Sequence, residues 1–286
     1  MSSAARVTVV EVGPRDGLQN EAVTIATADK VCFIELLADA GLPVVEVTSF
    51  VSPKAVPQLA DADAVLPAVR RRDGVRYPVL VPNMRGLERA VAAGADAIAV
   101  FTAASEGFAR ANVNMTIAES LAAFAPVLER ALAAGMWTRG YVSTAFGCPY
   151  DGAVAPAAVA RVAGELAALG CDEVSIGDTI GVARPEQVPE VVAAVGDRVP
   201  VERIALHLHD TGGRALDNVA AGLEAGVRIF DSSAAGLGGC PFAPGAPGNV
   251  ATEALVRFLH REGLETGVDP DAVERAGRSV RDRLAA

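Results

Sequence analysis

Short runs dense in valine, isoleucine and leucine recur along the chain, separated by longer segments with apolar residues at every third or fourth position. The runs predict strands near 7–12 (VTVVEV), 44–50 (VVEVTSF), 77–82 (YPVLVP), 97–103 (AIAVFTA), 138–145 (TRGYVSTA), 173–179 (EVSIGDT), 203–209 (RIALHLH) and 228–235 (RIFDSSAA). Between them, TADKVCFIELLADAG, ESLAAFAPVLERALAAG and PAAVARVAGELAALG carry the helical period. Four joints share one form, LADAGLPVVEV, AVAAGADAIAV, LAALGCDEVSI and GLEAGVRIFDS. In each, a helix closes on a glycine and a strand begins two or three residues later. Eight such units with near-continuous apolar strands predict an α/β fold, a parallel sheet closed into a (β/α)8 TIM barrel. The alternative, an open doubly wound sheet, would want a dinucleotide loop that the sequence lacks. No linker or compositional break divides the chain. One TIM-barrel domain is therefore expected over 1–286, with the barrel at about 5–265 and a terminal amphipathic helix at about 269–284.

Composition narrows the partners. With 286 residues and 51 % hydrophobic content the chain can bury a large core. A net charge of −10 argues against nucleic acid or an anionic membrane surface as partner, and leaves room for an anionic small molecule held by local arginines. No stretch reads as a membrane span. The four cysteines, Cys32, Cys148, Cys171 and Cys240, form no CxxC pair, and the strand-like start leaves no room for a presequence; both point to a cytoplasmic setting.

In a barrel of this kind, chemistry gathers at the C-terminal ends of the strands. The unusual polar residues fall there. Arg15, Asp16, Gln19 and Asn20 follow the first strand, and Glu46 interrupts the second. Arg139, Tyr141 and Ser143 mark the fifth, Ser175 and Asp178 the sixth, and Cys240 and Asn249 follow the eighth. The seventh ends in ALHLHDTGG, which places two of the chain's three histidines, His207 and His209, one residue apart. Alternation along a strand points both to one face, about 6–7 Å apart at Cα. They are either a hydrogen-bonded core pair or ligands of one cation. With an aspartate and an asparagine nearby, the donors would be mixed nitrogen and oxygen, a set for Mg²⁺, Mn²⁺ or Zn²⁺ in which the lack of thiolate favours the harder ions.

Six motifs then occur in order: EVGPRDGLQNE, VEVTSFVSPKAVPQ, RGYVSTAFGCPYDG, SIGDTIGV, LHLHDTGGRALDN and GLGGCPFAPGAPGN. Together they resemble the 3-hydroxy-3-methylglutaryl-CoA lyases of the RDG-motif metallolyase barrels, over residues 7 to about 268. The resemblance implies Asp16, His207, His209 and Asn249 as metal ligands, Arg15 as the catalytic arginine, and Glu46 as an acidic residue beside metal and substrate. It implies Cys240 as the cysteine of a mobile glycine-rich loop, with Mg²⁺ or Mn²⁺ as cofactor and Zn²⁺ disfavoured. The implied reaction is carbon–carbon cleavage of 3-hydroxy-3-methylglutaryl-CoA to acetyl-CoA and acetoacetate, in leucine breakdown, by a homodimer. Around that set, Asp178 is expected to support catalysis, and Gln19, Arg139, Tyr141 and Ser175 to bind substrate. Arg139 has a second reading, as a structural partner of Glu46.

The chain departs from the family pattern at Ala22, where lysine is usual, at Ala55, where an aromatic is usual, at Thr102, where glycine is usual, and at Pro244 and Pro247. Loss of the aromatic at 55 leaves room for a longer branched 3-hydroxy-3-carboxymethyl acyl chain. A rival reading is a Claisen-condensing acyltransferase of the isopropylmalate or homocitrate synthase type. It shares RDG and HxH, but lacks the GLQNE continuation and the GGCP loop. A barrel that binds metal without catalysis is a third reading, opposed by the full polar set.

Overall fold

Each predicted strand run becomes a stave of a closed parallel barrel. The computed structural model describes residues 6–238 and 248–285. The first strand (Thr8–Glu11) pairs with Val44–Val45 on one side and with the eighth strand (Ile229–Ser232) on the other. The second strand comes in two halves, Val44–Val45 and Thr48–Ser49; the first bonds the first strand and the second bonds the third (Val79–Leu80). The residues between them keep the ladder whole, because Glu46 N–H donates to Glu11 O at 2.8 Å and Val47 N–H to Pro78 O at 3.0 Å. The fourth (Ala97–Ala103), fifth (Trp137–Ser143), sixth (Glu173–Asp178) and seventh (Ile204–Leu208) strands complete the ring, every pair parallel. Closure leaves no free edge.

Ten α-helices are found among the described residues: α1 Thr27–Asp39, α2 Ala62–Ala68, α3 Met84–Ala92, α4 Glu106–Val113, α5 Ile117–Ala133, α6 Pro156–Ala168, α7 Gln187–Gly196, α8 Ala215–Glu224, α9 Thr252–Arg261 and α10 Pro270–Leu284. α4 is an addition that the periodicity did not announce; it ends at Asn114 in the left-handed conformation (φ 55°). α5 begins two residues before its predicted start, at a capping box formed by Thr116 and Glu119. α10 is capped by Asp269, which accepts from Asp271 N–H and Ala272 N–H. None of these helices is long and apolar enough to cross a membrane.

The repeated joints behave as their glycines predict: Gly41, Gly94, Gly170 and Gly226 all have φ between 83° and 104°. At Gly41 and Gly170 a side chain is doubly excluded. A Cβ there would lie 2.3 Å from Gly267 O and from Leu132 Cδ1, respectively. Most of the core lies between strands and helices. Inside the barrel, Val10, Val12 and Val44 form one apolar cluster and Leu80, Ala99 and Tyr141 another. The buried charges of the lumen share that interior.

Candidate active site

The first strand ends in a turn that only its glycines permit. Arg15, Asp16 and Gly17 all direct their N–H groups at Val12 O, a single π-type turn over Gly13–Gly17. A Cβ on Gly13 would come within 2.6 Å of Glu11 Oε1, and one on Gly17 within 2.8 Å of Leu237 Cβ. The tight turn delivers Arg15 and Asp16 side by side to a cavity of about 390 Å³ at the C-terminal mouth of the barrel.

Arg15 is buried, and its Nε and a terminal nitrogen each lie 2.8 Å from Glu46 Oε2. It also pairs with Asp16, and its Cζ sits 5.3 Å from the centre of the Tyr141 ring. Burial works against this cation, but Glu46 and Asp16 outweigh it and hold its pKa above the ordinary arginine value. Glu46 is completely buried. Burial raises its carboxyl above the usual range, against the downward pull of Arg15. Tyr141 closes the other side, its hydroxyl donating to Glu46 Oε2 at 3.0 Å.

On the seventh strand, His207 and His209 share a face, as their spacing requires. Their Nε2 atoms are 3.3 Å apart, and Asp16 offers a carboxylate oxygen so that the three donor atoms lie within 4.8 Å of one another. His207 Nδ1 lies 3.2 Å from Asp231 Oδ2, so Nδ1–H donates to Asp231 and Nε2 is turned to the cavity. Against burial, Asp231 and Asp16 make His207 more basic than usual, which strengthens it as a ligand. His209 is pushed down to about 4 by burial and by His207, and so is neutral at pH 7. Asp16, despite burial, is held well below the usual carboxylate range by Arg15 and His207. Two imidazole Nε2 atoms converging at 3.3 Å beside an ionised carboxylate make a mixed nitrogen and oxygen donor set that fits a divalent cation. Asn249 stands next to Asp16, donating from Nδ2 to Asp16 Oδ2 at 2.8 Å and to Leu237 O at 3.1 Å. Its backbone bridges to His209.

Of the residues singled out in the sequence, Arg15, Asp16, Gln19, Tyr141, Ser175, His207 and His209 line the cavity. Cys240 lies outside the described residues. Two expectations change. Arg139 does not reach the cavity: it is fully buried beneath it, 2.6 Å from Asp231, 2.7 Å from Glu173 and 2.9 Å from the Tyr141 hydroxyl. Its guanidinium is turned to these partners and is absent from the cavity wall, so it is not placed to bind a substrate. It meets Glu46 only through Tyr141. Asp178 points to the outer face of its strand, where its carboxylate accepts from Val182 N–H and Ala183 N–H at 3.0 Å. It shapes a loop and does not touch the cavity.

Asp231 was missed. Fully buried, it joins Arg139, Ser175 (Oγ at 2.8 Å) and His207, and so fixes the orientation of one imidazole. The signal was present: in RIFDSS one acid stands two residues after Ile229, on the same inward face.

The chain has close counterparts among known proteins. The HMGL-like family model matches residues 6–280. Over 272 residues the chain is 54 % identical to the mitochondrial hydroxymethylglutaryl-CoA lyase of Rattus norvegicus, a match covering 95 % of this chain and 84 % of the relative. The crystal structure of the HMG-CoA lyase from Brucella melitensis superposes with a TM-score of 0.97 at 54 % identity, over 99 % of this chain and 100 % of the other. An HMG-CoA lyase from Acinetobacter baumannii, solved in complex with coenzyme A and 3-methylmalate, is 39 % identical with a TM-score of 0.92, over 98 % and 92 % of the two chains. Agreement of sequence and fold along nearly the whole length leaves one assignment: the chain belongs to the HMGL-like family.

Proposed function

We propose that this protein is a divalent-metal-dependent lyase that cleaves 3-hydroxy-3-methylglutaryl-CoA to acetyl-CoA and acetoacetate. The observation that carries the reading is the meeting of Asp16, His207 and His209 with the Arg15 guanidinium on one cavity wall. Asp16, His207, His209 and Asn249 would hold the cation, and an oxygen and nitrogen donor set favours Mg²⁺ or Mn²⁺ over Zn²⁺. When bound, the cation supplies positive charge that lowers the pKa of the substrate's tertiary hydroxyl and helps orient the acyl group.

In the reaction the hydroxyl proton passes to a general base, the O–H pair left on oxygen becomes the second C–O bond of the acetoacetate ketone, and the C2–C3 pair passes to the thioester as an enolate. A proton on that carbon then gives acetyl-CoA. Arg15 stays charged at working pH, so it is a fixed electrostatic partner for the enolate oxygen and a poor base. Glu46 and Tyr141 hold it in place. Tyr141 and Ser175 form the cavity floor and Gln19 its rim, where we assign them substrate contacts. Cys240, on the strength of the family likeness, is assigned the proton transfer at its thiol, whose ordinary pKa lies near working pH. Within the same reading the protein works in the cytoplasm as a homodimer; the free thiols of Cys32, Cys148 and Cys171 support a reducing compartment.

Ala55 lines the cavity, which favours a second reading in which the same chemistry acts on a longer branched ester. The test is kcat/KM for both esters with Mg²⁺, following acetoacetate or its longer homologue. The methylglutaryl ester is expected to turn over, and chelation to abolish the activity. Turnover of neither ester, or CoA release only from acetyl-CoA with a 2-oxo acid, contradicts the proposal.

A further inference from the structure

Behind the turn that carries Arg15 and Asp16 lies a buried carboxyl group that the proposed chemistry does not use. Glu11, the last residue of the first strand, has no solvent exposure and is absent from the cavity wall. Its Oε1 accepts from Gly13 N–H at 2.8 Å and from Ala234 N–H at 2.9 Å. Its Oε2 accepts from the Thr252 hydroxyl at 2.7 Å. Gly13 opens the Arg15–Asp16 turn. Ala234 opens a second turn, Ala234–Gly236, which leads to Leu237 and Gly238.

That second turn touches the proposed metal ligands. Leu237 O receives the Asn249 amide, and a Cβ on Gly238 would stand 2.8 Å from Asn249 Nδ2 and 3.3 Å from Asp16 O. The turn is also strained, since Ala235 sits at φ 57°. It is held from outside by Glu253, which accepts Ala235 N–H at 3.0 Å, by Arg281 donating to Ala235 O, and by α10, where a Cβ on Gly277 would meet Ala235 Cβ at 2.8 Å. From inside, the contact is Glu11.

We propose that Glu11 is a positioning residue of the lyase site, its carboxylate registering the Arg15–Asp16 turn against the Ala234–Gly238 turn. The kinetic arm of the test rests on the lyase reading; the structural arm does not. The groups facing Glu11 are the Gly13 amide beyond its own strand, the Ala234 amide and Ser232 hydroxyl from the eighth strand and its turn, and Thr252 and Glu253 from α9. Burial, reinforced by Glu253 and opposed by the three hydrogen bonds, pushes its carboxyl up to about 7. Both protonation states find partners, because Thr252 also lies 2.8 Å from Ser232 Oγ. An ionised Glu11 accepts a hydrogen bond from the Thr252 hydroxyl; a protonated one donates to Thr252, which donates onward to Ser232. Only the ionised form offers charge-assisted acceptors to the two backbone amides, bonds about twice as strong as neutral ones.

Glu11→Gln keeps the shape and the three partners but removes the charge. Wild-type kcat is expected to rise with pH as Glu11 ionises. The variant should lack that rise and run about tenfold slower at pH 8, with KM changed less than about twofold. In metal-free protein, amide exchange of the peptide 233–238 should be faster in the variant than in wild type at pH 8, and equal at pH 6. A residue that only supported the fold would lower Tm and leave the pH profile in place. Unchanged profile and exchange in Glu11→Gln overturn the proposal. Should that variant fail to fold, Thr252→Val removes one bond to the carboxylate and is expected to move the kinetic rise and the exchange difference to higher pH; no movement overturns it. If no ester is turned over, the exchange arm still decides.

Discussion

Arg15→Gln is expected to lower kcat by about a thousandfold while changing KM little, the size of losing a fixed charge aimed at a developing oxyanion. The loss compounds at this position. Glu46 is completely buried and its Oε2 is bound by two Arg15 nitrogens at 2.8 Å, so removing the guanidinium leaves a carboxyl group that takes up a proton. The variant therefore loses a cation and an anion together, while Asp16 stays in the cavity without its guanidinium partner. Arg15→Lys separates charge from geometry. Its ammonium restores the charge, but it cannot present two donors to Glu46 and a third to Asp16 in the same plane, so rescue should be partial. Steady-state kinetics of the two variants check this. A fall of less than about tenfold in Arg15→Gln would mean that the enolate charge is met elsewhere.

Arg139→Met should produce the largest loss of stability, about 3–5 kcal/mol, read as a lower urea midpoint with the slope unchanged. Arg139 is the only arginine or lysine paired with Asp231 among the described residues, and both groups have no exposed surface. Methionine fills most of the volume but leaves the buried Asp231 and the partly exposed Glu173 without Arg139. Against the cost of burial, Arg139 and His207 hold Asp231 below the usual carboxylate range. Without Arg139, Asp231 is expected to share a proton with His207, so the variant should also bind Mn²⁺ more weakly. Arg139→Lys should fall between wild type and Arg139→Met, because one ammonium cannot span Asp231, Glu173 and Tyr141. A midpoint unchanged in Arg139→Met would show that the lumen charges are solvated in solution.

The sequence exposed those features that period and punctuation encode. Eight apolar runs became eight staves, and the four repeated glycines took the backbone conformation that only glycine enters freely. The HxH pair was legible because alternation alone puts His207 and His209 together. Parity would also have separated Ser175 from Asp178, since three residues along a strand reverse the face; expecting both at the site overlooked that rule. The role of Arg139 was hidden for another reason. Its partner Asp231 is 92 residues away, and nothing in RGYVS says which strand across the lumen supplies the counter-charge. Glu11 was hidden likewise. Its three donors come from residues 13, 234 and 252, which only barrel closure brings together.

The claim beneath all of these expectations is that one divalent ion is held jointly by the first-strand turn and the seventh strand. Mn²⁺ binding followed by electron paramagnetic resonance, on wild type and on Asp16→Ala, tests it most directly. Wild type should bind a single ion per chain with coupling to two imidazole nitrogens, and Asp16→Ala should weaken binding by about a hundredfold or more. Equal Mn²⁺ binding by the two proteins, or a bound ion without imidazole coupling, would contradict it.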